Sequence, residues 1–105
     1  KPKVVAHVLG FELAAYGNFK EEAVAVDIAE GRPVIIGIDY KEGQSSAISS
    51  ADHFVVAVNY DATSRVFTFA DPNGGRFIKF DMMHPVYDDR PAILSEMRRF
   101  RPVPN

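Results

Sequence analysis

The chain alternates short apolar runs with polar breaks, and most of those runs have the length and residue types of β-strands. The clearest pattern is Asp52 to Gly75. Phe54 to Tyr60 is rich in β-branched and aromatic residues, Asp61-Ala62-Thr63-Ser64 is a polar break, and Arg65 to Ala70 is strand-like again. This predicts a β-hairpin. Antiparallel pairing brings the start of one strand beside the end of the next, so His53 and Asp71 become neighbours although eighteen positions separate them.

Register decides whether they also share a face. With His53 opposite Asp71, Val55 opposes Phe69, Ala57 opposes Phe67 and Asn59 opposes Arg65. Directly opposed Cβ atoms lie roughly 4.5–5.5 Å apart, which lets a carboxylate reach an imidazole. A slip of one residue would turn Asp71 to the other face. The polar break suits a four-residue loop and the slipped register, whereas a three-residue loop or a bulge restores the other one. The unslipped register is preferred because it sets small Ala57 against large Phe67 and gathers both polar groups at one end.

The flanking segments follow less regular patterns. Val4 to Tyr16 is apolar, lacks a clear period and is interrupted by Gly10, which suggests a strand followed by a short helix. Asn18 has the chemistry of an N-cap, with Glu21 as capping-box partner. Phe19 to Glu30 then places Phe19, Ala23 and Val26, and Val24 and Ile28, at helical spacing, with Gly31 where a C′ glycine belongs. Val34 to Tyr40 is a nearly continuous apolar run, as in a strand covered on both faces. Lys41 to Ser50 reads as a polar loop. After the strong turn Pro72-Asn73-Gly74-Gly75, Arg76 to Phe80 alternates as a further antiparallel strand. Asp81 to Arg90 reads as irregular. Pro91 fits a first helical turn, and Ile93, Leu94, Met97 and Phe100 form a helical stripe up to Arg101, before Pro102 and Pro104.

Composition narrows the function classes. The chain has 105 residues, 47% hydrophobic and 25% charged, with a formal net charge of −2. Residues 1–105 therefore read as one domain or a piece of one. The balance gives no electrostatic footprint for nucleic acid or an anionic membrane. No apolar run approaches the roughly 20 residues of a membrane span. The amino terminus, Lys-Pro-Lys-Val-Val-Ala, is not a signal peptide and lacks an initiator Met, as expected of an excised or processed fragment. There are no cysteines, so disulfides, thiolate metal sites and a thiol nucleophile within these residues are excluded.

His53 and Asp71 are the leading candidates for chemistry. A histidine held by a carboxylate is fixed in one tautomer, leaving its other nitrogen to take a proton from a nucleophile. The plainer alternative is a strand-edge histidine beside an Asp-Pro-Asn turn. Other sites are weaker. His7, His53 and His84 share no metal-ligand spacing, and Asp81, Asp88 and Asp89 lack a loop of spaced oxygen ligands for calcium. Gly74-Gly75 has no phosphate-binding signature around it. Ser45, Ser46, Ser49 and Ser50 precede His53 closely, yet no nucleophile elbow is present. Arg98, Arg99 and Arg101 read as the solvated face of the last helix.

Asp52-His53-Phe54-Val55-Val56-Ala57-Val58-Asn59-Tyr60 resembles the histidine strand of papain-like cysteine proteases, in which the next strand ends in the Asn or Asp that orients the histidine. Here that residue is Asp71. Asp71-Pro72-Asn73-Gly74-Gly75 is similar to the Asp-Pro-x-x-Gly of bacterial branches, namely secreted effector proteases and bacteriocin-leader peptidases. Gly31-Arg32-Pro33-Val34-Ile35 resembles the segment before the histidine strand. The resemblance spans about Glu21 to Phe80 and rests on residue order and spacing. It implies His53 as general base and Asp71 as its orienter, acting on a protein or peptide substrate without cofactor or metal, in a protein of the secreted-effector kind. The family also has a cysteine at the start of an upstream helix, with a Gln or Asn oxyanion donor before it. This chain has no cysteine, and Gln44 lies only nine residues before His53. Two accounts follow: the C-terminal part of an enzyme whose upstream segment bears the Cys, or a relative that binds peptide without cutting it. A third, blander reading is an interaction domain in which His53 and Asp71 are incidental. The expected fold class is α+β, a mostly antiparallel sheet of four or so strands with flanking helices, like the C-terminal half of a papain-like protease.

Overall fold

A computed structural model describes residues 10–40 and 51–104. The elements are β1 (Phe11–Asn18), α1 (Glu21–Ala29), β2 (Val34–Tyr40), β3 (His53–Asp61), β4 (Val66–Asp71), β5 (Arg76–Asp81), β6 (Val86–Tyr87) and β7 (Arg90–Pro102). Every pairing is antiparallel, in the order β1-β7-β2-β3-β4-β5, with β6 pairing β7 off this path. The fold is therefore mostly β, not α+β with flanking helices, and α1 is the one helix among the described residues. The expected loop at 41–50, together with Gln44 and the four serines, lies outside the described residues, as does His7.

Two corrections account for the change of class. The second half of the first apolar segment is not a short helix but part of β1, an edge strand on which Ala14, Ala15 and Tyr16 are exposed. The Pro91–Arg101 segment is not a helix either: it lies in β7, a 13-residue strand. Gly37 pairs with Glu96 and Ile38 with Leu94, so Ser95 is an extra residue. That bulge turns Leu94 and Met97 onto one face although they are three apart, which imitates helical spacing. The expected arginine face disappears with the helix, because Arg98, Arg99 and Arg101 reach Glu96, Asp27 and Glu12 respectively.

β2 lies between β7 and β3 and is buried along almost its whole length, as its apolar run predicts. Val34, Ile36 and Ile38 join Val55, Ala57, Phe67, Phe69 and Phe80 on the face covered by α1. Asp27 of α1 is buried on that face, held by Arg99 at 2.7 and 2.9 Å and by Arg32 at 2.6 Å. The helix begins after Lys20, not after Asn18, and no side chain caps it. Glu21 turns instead to Arg65 and the Tyr60 hydroxyl, tying the helix to the β3–β4 hairpin. Gly31, at φ +76, closes the helix as expected.

At Gly37 a side chain has no room. A Cβ there would stand 2.3 Å from Glu96 Cγ and 2.9 Å from Ala51 Cβ. Glu96 is buried and bonded to Arg98 at 2.7 Å, so it yields poorly. Gly37→Ala is expected to cost about 1–3 kcal/mol, as overpacking typically does, read from denaturant unfolding.

Candidate functional site

His53 opens β3 and Asp71 closes β4, and the structure brings them together. The register differs from the expected one. Val56 pairs with Ala70 and Ala57 with Phe69, so Ala57 does not oppose Phe67. Nearer the loop the pairing shifts by one, with Asn59 opposite Thr68 and Asp61 opposite Val66, leaving Val58 as the bulged residue. The four-residue loop thus imposes the slipped parity, and the bulge reverses it before the strands reach the site. Continuing the Val56–Ala70 pairing sets Asp71 beside Val55, two residues from His53 and on the same face. Diagonal neighbours of this kind remain within reach of longer side chains, and His53 Nε2 meets Asp71 Oδ2 at 2.8 Å.

Local structure fixes each partner. The Asp52 carboxylate accepts from the Tyr40 backbone N–H at 3.0 Å, and the Asp52 N–H donates to Ile38 carbonyl oxygen at 2.7 Å, so the residue before His53 anchors the strand entry. Asp71 Oδ1 accepts the Asn73 N–H at 2.8 Å, which fastens the carboxylate to the Pro72–Gly75 turn. Asp71 Oδ2 also accepts the hydroxyl of Tyr87 at 2.5 Å, and Arg76 Nη2 stands 3.9 Å away. Burial alone would push the Asp71 carboxyl up. Hydrogen bonds from Tyr87, His53 and the Asn73 amide, with the charge of His53, outweigh it and hold the group below the ordinary aspartate range. A buried, ionised carboxylate is a steady acceptor for an imidazole N–H.

The histidine differs from its partner in exposure. Its side chain is 22% accessible against 1% for Asp71, so the carboxylate is enclosed while the imidazole reaches the surface. With Nε2 on Asp71, Nδ1 is the nitrogen left for an incoming group, and among the described residues it takes no hydrogen bond. The arrangement can accept a proton at Nδ1 and stabilise the resulting imidazolium.

Tyr87 was not singled out in the sequence. It sits in the stretch read as irregular, and nothing in its spacing ties it to Asp71; only its aromatic hydroxyl hints that burial would require a partner. Asp88 is an exposed turn residue that pairs with Arg76 at 3.0 Å. His84 is exposed beside Pro85, as a loop residue would be. No group of three or more His, Asp or Glu that could hold a metal ion occurs among the described residues. Three depressions are lined by described residues, one of about 350 Å³ beside Ile28, Pro33 and Val58, one of about 320 Å³ beside Tyr16, Met97 and Arg99, and one of about 160 Å³ beside Ile35, Phe54 and Pro72; none of the three is lined by His53 or Asp71.

Comparison with known proteins bears on this geometry. No curated protein matches the chain, and no solved structure does. Residues 7–88 match the Peptidase_C39 like family, a span that includes His53, Asp71 and Tyr87. The chain belongs to the Peptidase_C39 like family, a family related to papain-like cysteine peptidases, and its function is peptidase-related at that level.

Proposed function

We propose that this chain is the histidine- and aspartate-bearing part of a papain-like thiol peptidase, with its nucleophilic cysteine supplied by a segment outside these 105 residues. The observation that carries the reading is the 2.8 Å contact between His53 Nε2 and the buried Asp71 carboxylate, in a chain of a peptidase-related family. The surface exposure of His53 supports it, since an incoming thiol must reach the ring.

The chemistry follows from Nδ1, which takes no hydrogen bond among the described residues. His53 takes the thiol proton at Nδ1, giving a thiolate–imidazolium pair whose positive charge Asp71 offsets through Nε2–H. The thiolate attacks the substrate carbonyl, and donors outside the described residues hold the oxyanion. The imidazolium then returns its proton to the leaving amine, and His53 next takes a proton from the water that hydrolyses the thioester. Asp71 holds the ring and its charge throughout and does not itself transfer the proton.

The lack of any cysteine in the chain favours a second reading, a papain-like module that binds peptide without cutting it. Both readings expect the pair to share a face, which the third, in which His53 and Asp71 are incidental, does not. The longer gene product, treated with a thiol-directed electrophile and mapped by mass spectrometry, separates them. The peptidase reading expects labelling of one cysteine upstream of Lys1 at neutral pH. Labelling no faster than that of a free thiol would favour the binding module.

A further inference from the structure

β6 is two residues long, and the residue it delivers is Tyr87, which is 1% exposed. The Tyr87 hydroxyl donates to Asp71 Oδ2 at 2.5 Å, the same oxygen that meets His53. The Tyr87 ring also tilts against the imidazole, with centroids 5.9 Å apart. One side chain therefore touches both members of the pair. Burial first, and then the neighbouring carboxylate, raise the phenol well above its ordinary range, so it remains a donor at any pH where the protein works.

The backbone around Tyr87 is committed to this placement. Asp88 and Asp89 both take positive φ, 52 and 67, in the two-residue turn that joins β6 to β7. Such a turn matches strand twist, and Asp tolerates the left-handed region better than most residues. Arg76, which follows the Asp71 turn, grips Asp88 through Nη1 at 3.3 Å and Nη2 at 3.0 Å. The ion pair fastens the Tyr87 hairpin to the end of β5 that faces Asp71.

The geometry points to Tyr87 as a positioning residue for the His53–Asp71 pair, its hydroxyl keeping the buried carboxylate ionised and its ring fixing the direction in which Nδ1 faces. The purpose of that role rests on the peptidase reading; its measurement does not. Among the described residues, the titratable and charged groups around Asp71 are His53 on β3, Tyr87 on β6, Arg76 on β5, Tyr40 on β2 and Asp88 in the β6–β7 turn. Without the hydroxyl, the carboxylate keeps only His53 and the Asn73 amide as hydrogen-bond donors among the described residues, and burial is less opposed.

The test is Tyr87→Phe in the 105-residue chain, with the Asp71 carboxyl carbon followed by NMR through a pH titration. The expected result is an upward shift of the Asp71 titration with the backbone amide spectrum retained. A purely structural tyrosine would lower the melting temperature and leave that titration in place, and an unchanged titration in the folded variant overturns the inference. If Tyr87→Phe fails to fold, the wild-type chain still decides. A Tyr87 hydroxyl proton protected from exchange, with a deuterium isotope shift at the Asp71 carboxyl carbon, supports the role, and absence of both overturns it. Neither readout needs a nucleophile. Failure to label a cysteine alongside a shifted titration would therefore remove the peptidase reading and leave the positioning role standing.

Discussion

On the peptidase reading, replacing His53 by alanine should slow thiol labelling of a cysteine-bearing enzyme by up to about 30-fold at pH 7, the factor by which an unassisted thiol falls short of full ionisation. An isolated thiol, with a pKa of about 8.5, is only a few per cent thiolate at pH 7. On that reading the imidazole is the missing proton acceptor at Nδ1, and the enclosed Asp71 carboxylate, 2.8 Å from Nε2, offsets the charge it takes up. The variant carries its own control, because raising the pH above the thiol's ordinary range should restore labelling without the histidine. A His53→Ala protein that labels at the wild-type rate at neutral pH would remove His53 from the mechanism.

The largest stability effect is expected at Asp27. Its carboxylate is almost fully enclosed between α1 and β7 and is held by two guanidinium groups. Removing one side of a buried ion pair typically costs about 3–5 kcal/mol. Arg32 and Arg99 keep a quarter to a third of their surface, so they can partly recover hydration and Asp27→Ala should fall near the lower end of that range. Denaturant unfolding measures it, and a loss below the range would mean that the arginines rehydrate completely. The pH dependence has a definite sign. Burial pushes Asp27 up, the hydrogen bonds and charges of Arg99 and Arg32 outweigh it, and the folded-state value lies below the ordinary one. Its contribution is present above the unfolded aspartate range and is lost as pH falls through the lowered folded value. Asp71 behaves in the same way. Wild-type stability should therefore decline as pH drops below about 4, the unfolded aspartate range, and the decline should be shallower in Asp27→Asn.

Much of the hairpin that carries the site was legible because a period of two is hard to hide. β4 alternates buried and half-buried residues without interruption, and β2 shows the continuous apolar run of a strand covered on both faces. Bulges defeated the finer reading. The extra residue at Val58 sets the His53–Asp71 contact through diagonal neighbours, not a direct pair. The bulge at Ser95 gives β7 a false helical stripe, and it was this segment, with β1, that made the fold look α+β. Tyr87 was out of reach for another reason. Its contact with Asp71 is tertiary, made by a two-residue strand whose position depends on a turn at Asp88 and Asp89 and on Arg76 across the sheet. Local pattern carries no signal of such a contact.

The proposed function requires that the His53 Nε2–H be engaged by Asp71 and that Nδ1 be open to receive a proton. Ring-nitrogen NMR of His53 in the neutral state measures this directly. The prediction is a dominant Nε2–H tautomer with an unprotonated Nδ1, lost in Asp71→Ala. A ring protonated at Nδ1, or one averaging freely between tautomers in the wild-type chain, would contradict it.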